Sequence, residues 1–169
     1  MPNKPRYGII ALAFGLHKDE AGPSNEAIFE VASNIKQQLP GALLASQWEV
    51  NLAANDGDVD FVVSSQATRE YITTKEAIDR CLEEFMAAGV TRVVIVAHPL
   101  HLQIIRTFVD LGWWSLGGME MDEQFNKLMR SVPYDRDPGN LQPWTRGPIR
   151  FVTYLMKVLV TKRHGLATQ

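Results

Sequence analysis

The sequence predicts an α/β protein: a three-layer α-β-α sandwich on a Rossmann-like, mostly parallel sheet of about four to five strands, with an extra C-terminal helix. Two patterns predict this fold. Apolar runs of strand length alternate with amphipathic segments in the order strand, helix, strand, strand, helix, strand, helix. The run at 93–97 is uninterrupted and rich in β-branched residues, as expected where both faces of a strand are covered. We therefore expect residues 1–169 to form a single α/β domain.

Four elements are expected in the first half of the chain. The apolar run at 7–14 predicts the first strand. Ser24 is expected to cap a helix with an apolar stripe, which ends at Pro40. Residues 42–50 and 59–63 are expected to form the second and third strands. These boundaries place polar or small residues after the first and third strands.

The second half begins with a capping box, Thr73-x-x-Glu76, which opens a helix that stops at Gly89. The strand at 93–97 follows and leads into a helix from Pro99 to Gly112. Pro suits the first position of a helix because it has no N–H to lose, and Gly suits its end.

The last part of the chain is less regular. A short helix is expected at 122–130, and 133–148 is a long loop with four prolines and two glycines. The closing helix at 149–163 is apolar nearly all round, so it is either buried or part of a homodimer interface.

The composition limits the kinds of partner and cellular location that are expected. A net charge of −2 gives no electrostatic reason to expect nucleic acid or an anionic membrane as a partner. No apolar stretch is long enough to span a bilayer, so we expect no transmembrane segment and a cytoplasmic location. Cys81 is the single cysteine, which rules out an intrachain disulfide and a cysteine cluster for zinc. It falls on the apolar stripe of a helix and should be a core residue.

His98 and His101 lie where a buried strand turns into a helix, and ligands of open α/β sheets bind at that end of the strands. The first N–H groups of the helix are unpaired and favour an anion. The two imidazoles could bind phosphate or act as acid and base. The structural alternative is that His98 caps the helix and His101 lies on the surface.

Other strand ends point to the same edge of the sheet. Gly15 and His17 follow the first strand, and Ser64, Ser65 and Gln66 follow the third. Small residues let a ligand approach the backbone, and hydroxyls can bind phosphate or ribose. No nucleotide-binding glycine motif is present. We expect no metal, because the histidines are scattered and no acidic residue lies near His98 in sequence.

The long loop carries Trp144 and Arg146, with Arg136 as a second arginine. A Trp and an Arg together can clamp a ligand, so the loop could close over the site as a lid. The alternative is a proline-rich cover over the apolar closing helix.

Several of these features resemble the YdcF/SanA-like proteins of unknown function (the ElyC/SanA/YdcF type): a strand ending in serines, the helix start at Thr73–Ala77, and VVIVAHPLHL followed by a helix and glycine. The resemblance covers roughly 7–112. It implies a bacterial-type protein with a Rossmann-like three-layer fold and a small-ligand pocket at the strand ends. S-adenosylmethionine binding, associated with one member, and roles in the bacterial envelope, associated with others, are further expectations.

Carried over by position, the resemblance places the family's histidine on His101, its threonine and glutamate on Thr74 and Glu76, and its serine on Ser64. Two positions depart from the family pattern. Ile104 stands where the family commonly has arginine, and Phe14-Gly15 stands where it has two glycines. Both departures weaken the expectation of the same anionic ligand.

Two hypotheses for the function follow. The first is an enzyme acting on a small polar or phosphorylated metabolite, with His101, His98 and Glu76 as the catalytic groups. Ligand contacts would come from the strand ends, Thr74 and the long loop, namely Gly15, His17, Ser64, Ser65, Gln66, Thr74, Trp144 and Arg146. The second is a non-catalytic binding or regulatory protein for a nucleoside-like ligand.

Overall fold

A computed structural model describes residues 5–55, 57–63 and 72–154. Its sheet has five strands that are all parallel, in the order β3-β2-β1-β4-β5. The strands are β1 (Tyr7–Ala11), β2 (Leu43–Ser46), β3 (Phe61–Val62), β4 (Arg92–Val96) and β5 (Glu120–Met121). The α/β fold and the Rossmann-like sheet expected from the sequence are confirmed.

The helices alternate with these strands. They are α1 (Pro23–Gln38), α2 (Trp48–Asn51), α3 (Thr74–Ala87) and α4 (Pro99–Asp110), with 3₁₀ turns at Leu128–Ser131 and Pro143–Arg146. Residues 148–154 are helical and belong to the expected closing helix, whose remainder lies outside the described residues.

Both faces of the central strands are buried, as the apolar runs of the sequence require. β1 pairs with β2 on one side and with β4 on the other, and Ile9, Ile10 and Val94 are fully buried. Gly8 lies in the middle of this layer. A Cβ at Gly8 would overlap the ring of Phe85, so the absent side chain lets α3 pack closely on the sheet.

Successive strands are added on one side of β1 up to β3 and on its other side from β4 onward. This change of direction determines where the site lies. The β1-α1-β2 connection runs one way from the centre, whereas β3-α3-β4 crosses back the other way. Because such connections are right-handed, α1 and α3 cover opposite faces. The loops after β1 and β4 therefore diverge and leave a crevice at the carboxyl ends of the strands.

Two expectations for the first half were wrong in detail. The second strand ends at Ser46, where its pairing with β1 also ends, and Trp48–Asn51 is helical although 42–50 was expected to be strand. Ser24 is not the cap of α1. The helix begins at Pro23, and the Ser24 hydroxyl instead donates to the carbonyl of Pro133 at 2.7 Å.

The region after α4 also differs from expectation. The expected helix at 122–130 is a set of turns followed by the 3₁₀ turn, and it is preceded by the unexpected strand β5. β5 has only two residues and depends on pairing with β4, with Glu120 also in an ion pair with Arg92 at 3.1 Å. Such a strand has no local apolar pattern that could predict it.

Cys81 is buried in the core, as expected, and burial raises the pKa of its thiol to about 12. Among the described residues, no helix is both long and apolar enough to cross a bilayer.

Candidate functional site

A cavity of about 350 Å³ lies at the carboxyl ends of β1 and β2. The loops after these strands form one side, and the start of α3 together with His101, Ile104 and Phe108 of α4 forms the other. Six aromatic side chains line it: Phe14, Phe108, Trp114, Trp144, Phe151 and Tyr154. Its polar lining consists of Gln47, Glu49, Thr73, Thr74, Lys75, His101, Gln142 and Thr145. The cavity has the size and mixed lining of a small-molecule pocket.

His101 lies in the first turn of α4 and lines this cavity. Its Nε2 is 2.8 Å from Oγ1 of Thr74, which is the first residue of α3. Nδ1 of His101 is buried and has no hydrogen-bond partner among the described residues. Burial lowers the pKa of His101 to about 4, so the imidazole is neutral at physiological pH.

His98 has a different environment. It is the N-cap of α4, because its Nδ1 accepts from the N–H of Leu100 at 3.3 Å. Its ring stacks on Phe14 with centroids 4.0 Å apart and planes 9° apart, and the residue is 2% exposed. Burial, and secondarily the proximity of His101, lower its pKa to about 4. His98 does not line the cavity but supports Phe14, which does.

Glu49 is one of the lining residues that the sequence did not predict. It lies in the short helix α2, lines the cavity, and has one carboxyl oxygen, Oε2, buried without a hydrogen-bond partner in the described part of the chain. Burial raises its pKa from 4.5 to about 7. The expected strand at 42–50 concealed it, because an alternating strand would have placed Glu49 on an ordinary polar face.

Gln47 fixes the turn that brings Glu49 to the cavity. Its backbone N–H donates to the carbonyl of Ala11, and its Oε1 accepts from the N–H of Ala13 at 2.8 Å. The side chain thus joins the ends of β1 and β2, and α2 begins directly after it. A polar residue at the end of a parallel strand was the available signal for this junction.

His17 and Gly15 belong to a separate buried cluster. Nε2 of His17 lies 2.7 Å from Oδ2 of Asp135, and both side chains are buried. Gly15 has φ +110°, and a Cβ there would overlap the carboxylate of Asp135. Neither His17 nor Gly15 lines the cavity. The cluster ties the loop after β1 to the long loop at 133–147.

The capping box of α3 is half formed. The N–H of Glu76 donates to Oγ1 of Thr73 at 3.2 Å, but the Glu76 carboxylate binds Arg80 at 2.7 Å instead of reaching back to the cap. Glu76 does not line the cavity, whereas Thr74 does.

Trp144 and Arg146, the two residues expected to clamp a ligand, have different roles in the structure. Trp144 lines the cavity and stacks on Tyr154 at 4.8 Å. Arg146 braces the loop by donating to the carbonyls of Pro138 and Asn140, so its guanidinium is used inside the loop.

Ser64, Ser65 and Gln66 lie outside the described residues. Within the described ranges, no group of three or more histidine, cysteine or acidic side chains could hold a metal ion.

Fold and site together define a Rossmann-like α/β protein with a cavity of mixed aromatic and polar lining at the carboxyl edge of its sheet. Comparison of the chain with family models, curated proteins and solved structures gives no match. The cavity is therefore the feature of the molecule from which a function can be inferred.

Proposed function

We propose that the protein is an enzyme that acts on a small molecule with a flat, largely apolar part, using Glu49 and His101 for proton transfer. The observation that carries the proposal is that these two groups line one cavity with pKa values displaced in opposite directions. Ionisable groups with displaced pKa values in a cleft are typical of catalytic sites.

The two pKa shifts reverse the usual order, in which a carboxyl group loses its proton at a lower pH than an imidazolium does. With Glu49 at about 7 and His101 at about 4, the carboxyl still carries its proton while the imidazole is already free of one. Between these values Glu49 can donate a proton and His101 can accept one. Both roles are therefore filled in weakly acidic to neutral solution.

The lining favours a ring system over a densely charged ligand. Six aromatic side chains wall the cavity, and such surfaces gain most from stacking on another ring. Lys75, the cation in the lining, is paired with Asp79 at 2.5 Å. The described lining therefore offers a phosphate no unpaired cation, and the protonated carboxyl of Glu49 adds no positive charge. The sequence led us to expect a small polar or phosphorylated substrate. Of these two classes, the lining disfavours the phosphorylated one.

The non-catalytic hypothesis keeps one supporting observation: the aromatic walls suit the base of a nucleoside-like ligand equally well. S-adenosylmethionine is the first candidate, because of the resemblance to the YdcF/SanA-like proteins. Binding of this compound or of adenosine without any turnover would favour that role over catalysis.

The test is a ligand screen followed by a pH profile. Aryl esters, aryl phosphates, adenosine and S-adenosylmethionine are titrated while tryptophan fluorescence is followed, with Trp144→Phe and Trp114→Phe as the controls for the signal from the cavity. For a compound that is consumed, kcat/KM should be greatest between pH 4 and 7, and Glu49→Gln should abolish the alkaline limb. Consumption that is unchanged in both Glu49→Gln and His101→Ala would overturn the proposal.

A further inference from the structure

From the hydrogen bond between Thr74 and His101 we infer that Thr74 is a nucleophile activated by His101, and that the substrate is a carboxylic ester or thioester with an aromatic or apolar acyl or leaving group. This inference rests on the proposed function and assigns a covalent role to one residue of the same cavity.

The first support is geometric. Oγ1 of Thr74 and Nε2 of His101 are 2.8 Å apart, which is the reach expected of a nucleophile and its base. Both residues line the cavity, so the hydroxyl and the imidazole belong to the same pocket. The contact joins the first turns of α3 and α4, and the two residues are 27 positions apart in the chain.

The second support is the position of Thr74 as the first residue of α3. The N–H groups of Thr74 and Lys75 have no intrahelical acceptor, and neither has a partner among the described residues. The N–H of Glu76, by contrast, is already taken by Thr73. Free N–H groups beside a nucleophile can stabilise the oxyanion that forms when a carbonyl is attacked.

The third support is electrostatic and selects the substrate. Because His101 is neutral at pH 7, its Nε2 can accept the proton of the Thr74 hydroxyl. The aromatic lining and the carboxyl of Glu49 suit an uncharged acyl group better than a phosphoryl group. A carboxylic ester satisfies these conditions.

The chemical step balances within the cavity. Oγ1 of Thr74 forms a bond to the ester carbonyl carbon while its proton passes to Nε2 of His101. The tetrahedral intermediate then breaks the bond to the leaving oxygen, which takes the proton from His101. Water, deprotonated by the same nitrogen, hydrolyses the acyl-threonine, and the proton returns to Thr74 as the acid leaves.

One feature limits the rate. Nδ1 of His101 has no acidic partner in the described part of the molecule, whereas the corresponding nitrogen in a Ser-His-Asp triad is held by a carboxylate whose loss lowers kcat by about 10⁴. We therefore expect slow turnover, and acylation of the protein is the more sensitive readout.

The experiment treats the full chain with p-nitrophenyl butyrate at pH 7 and follows nitrophenolate release and intact mass. We expect one butyryl group on the protein, mapped to Thr74. Thr74→Ala should lose the adduct, Thr74→Ser should retain it, and His101→Ala should slow its formation by about 100-fold or more. Thr107→Ala, which removes an exposed hydroxyl of α4, should leave labelling unchanged.

The outcomes separate the two proposals. If the ester is consumed without acylation of Thr74, or if Thr74→Ala labels like the wild type, the nucleophile role is overturned and the proposed function stands. If the protein neither binds nor consumes the ester, nor any other compound of the ligand screen, both fail. Thermal melts of Thr74→Ala and Thr74→Ser distinguish loss of chemistry from loss of the fold.

Discussion

The imidazole of His17 lies 2.7 Å from the carboxylate of Asp135, and the two residues are 118 positions apart. Both are buried, at 3% and 0% exposure. The contact joins the loop after β1 to the long proline-rich loop, whose later residues Trp144 and Thr145 line the cavity. The pair therefore holds one wall of the site in place without contacting its contents.

We expect Asp135→Ala to lower the free energy of unfolding by about 1–3 kcal/mol, because it leaves the buried Nε2 of His17 without its hydrogen-bond partner. Asp110→Ala, which removes an exposed carboxylate at the end of α4, is the matched control and should change stability by less than about 0.5 kcal/mol. Urea denaturation measures both. Equal stabilities of the two variants would contradict the structural role of the pair.

A second prediction separates the two tasks of His98. Replacement by asparagine keeps a capping side chain for α4 but removes the stack on Phe14, whereas alanine removes both. We expect His98→Ala to be less stable than His98→Asn by about 1 kcal/mol. Both should be less stable than the wild type because Phe14 loses a stacked ring. If His98→Ala and His98→Asn unfold at the same urea concentration, the cap contributes nothing.

The elements that the sequence predicted well are those with strong local patterns. The central strand, the proline at the start of α4 and the Thr73 cap of α3 all follow from periodicity and end signals within a few residues. The cap role of His98 was one of two interpretations considered, and the structure confirms it. The cavity edge was also predictable, because parallel strands carry their loops to one rim.

The elements that the sequence did not predict depend on distant partners. Glu49 reaches the cavity because Gln47 bonds to the end of β1 and stops β2. Likewise, His17 is directed away from the cavity by Asp135, which lies in a loop far along the chain. Gln47 at the end of β2 was the one local signal for the first contact, and no pattern near His17 encodes the second.

A third prediction concerns stability as a function of pH. The pKa of Glu49 is raised from 4.5 to about 7 in the folded state, so folding favours its protonated form, and stability is lost as pH rises through that window. Glu49→Gln lacks this loss. Relative to the wild type, its free energy of unfolding should therefore increase by at most about 3 kcal/mol between pH 4 and pH 8.

Guanidinium denaturation of wild type and Glu49→Gln at both pH values measures this difference. His98 and His101 have lowered pKa values and act in the opposite sense, gaining stability between about 4 and 6.5, but they are present in both proteins and cancel. A difference between the two proteins that does not change with pH would contradict the burial of Glu49.

The most direct test of the account is an NMR titration of the side chains of Glu49 and His101 in the free protein, with Glu49→Gln and His101→Ala used to assign the signals. We expect the Glu49 carboxyl carbon to titrate near pH 7 and the His101 ring to titrate near pH 4. Midpoints near the ordinary values of 4.5 for Glu49 and 6.5 for His101 would contradict the proposal. Glu49 would then lose its proton before His101 does, and the cavity would not hold a protonated carboxyl beside a neutral imidazole.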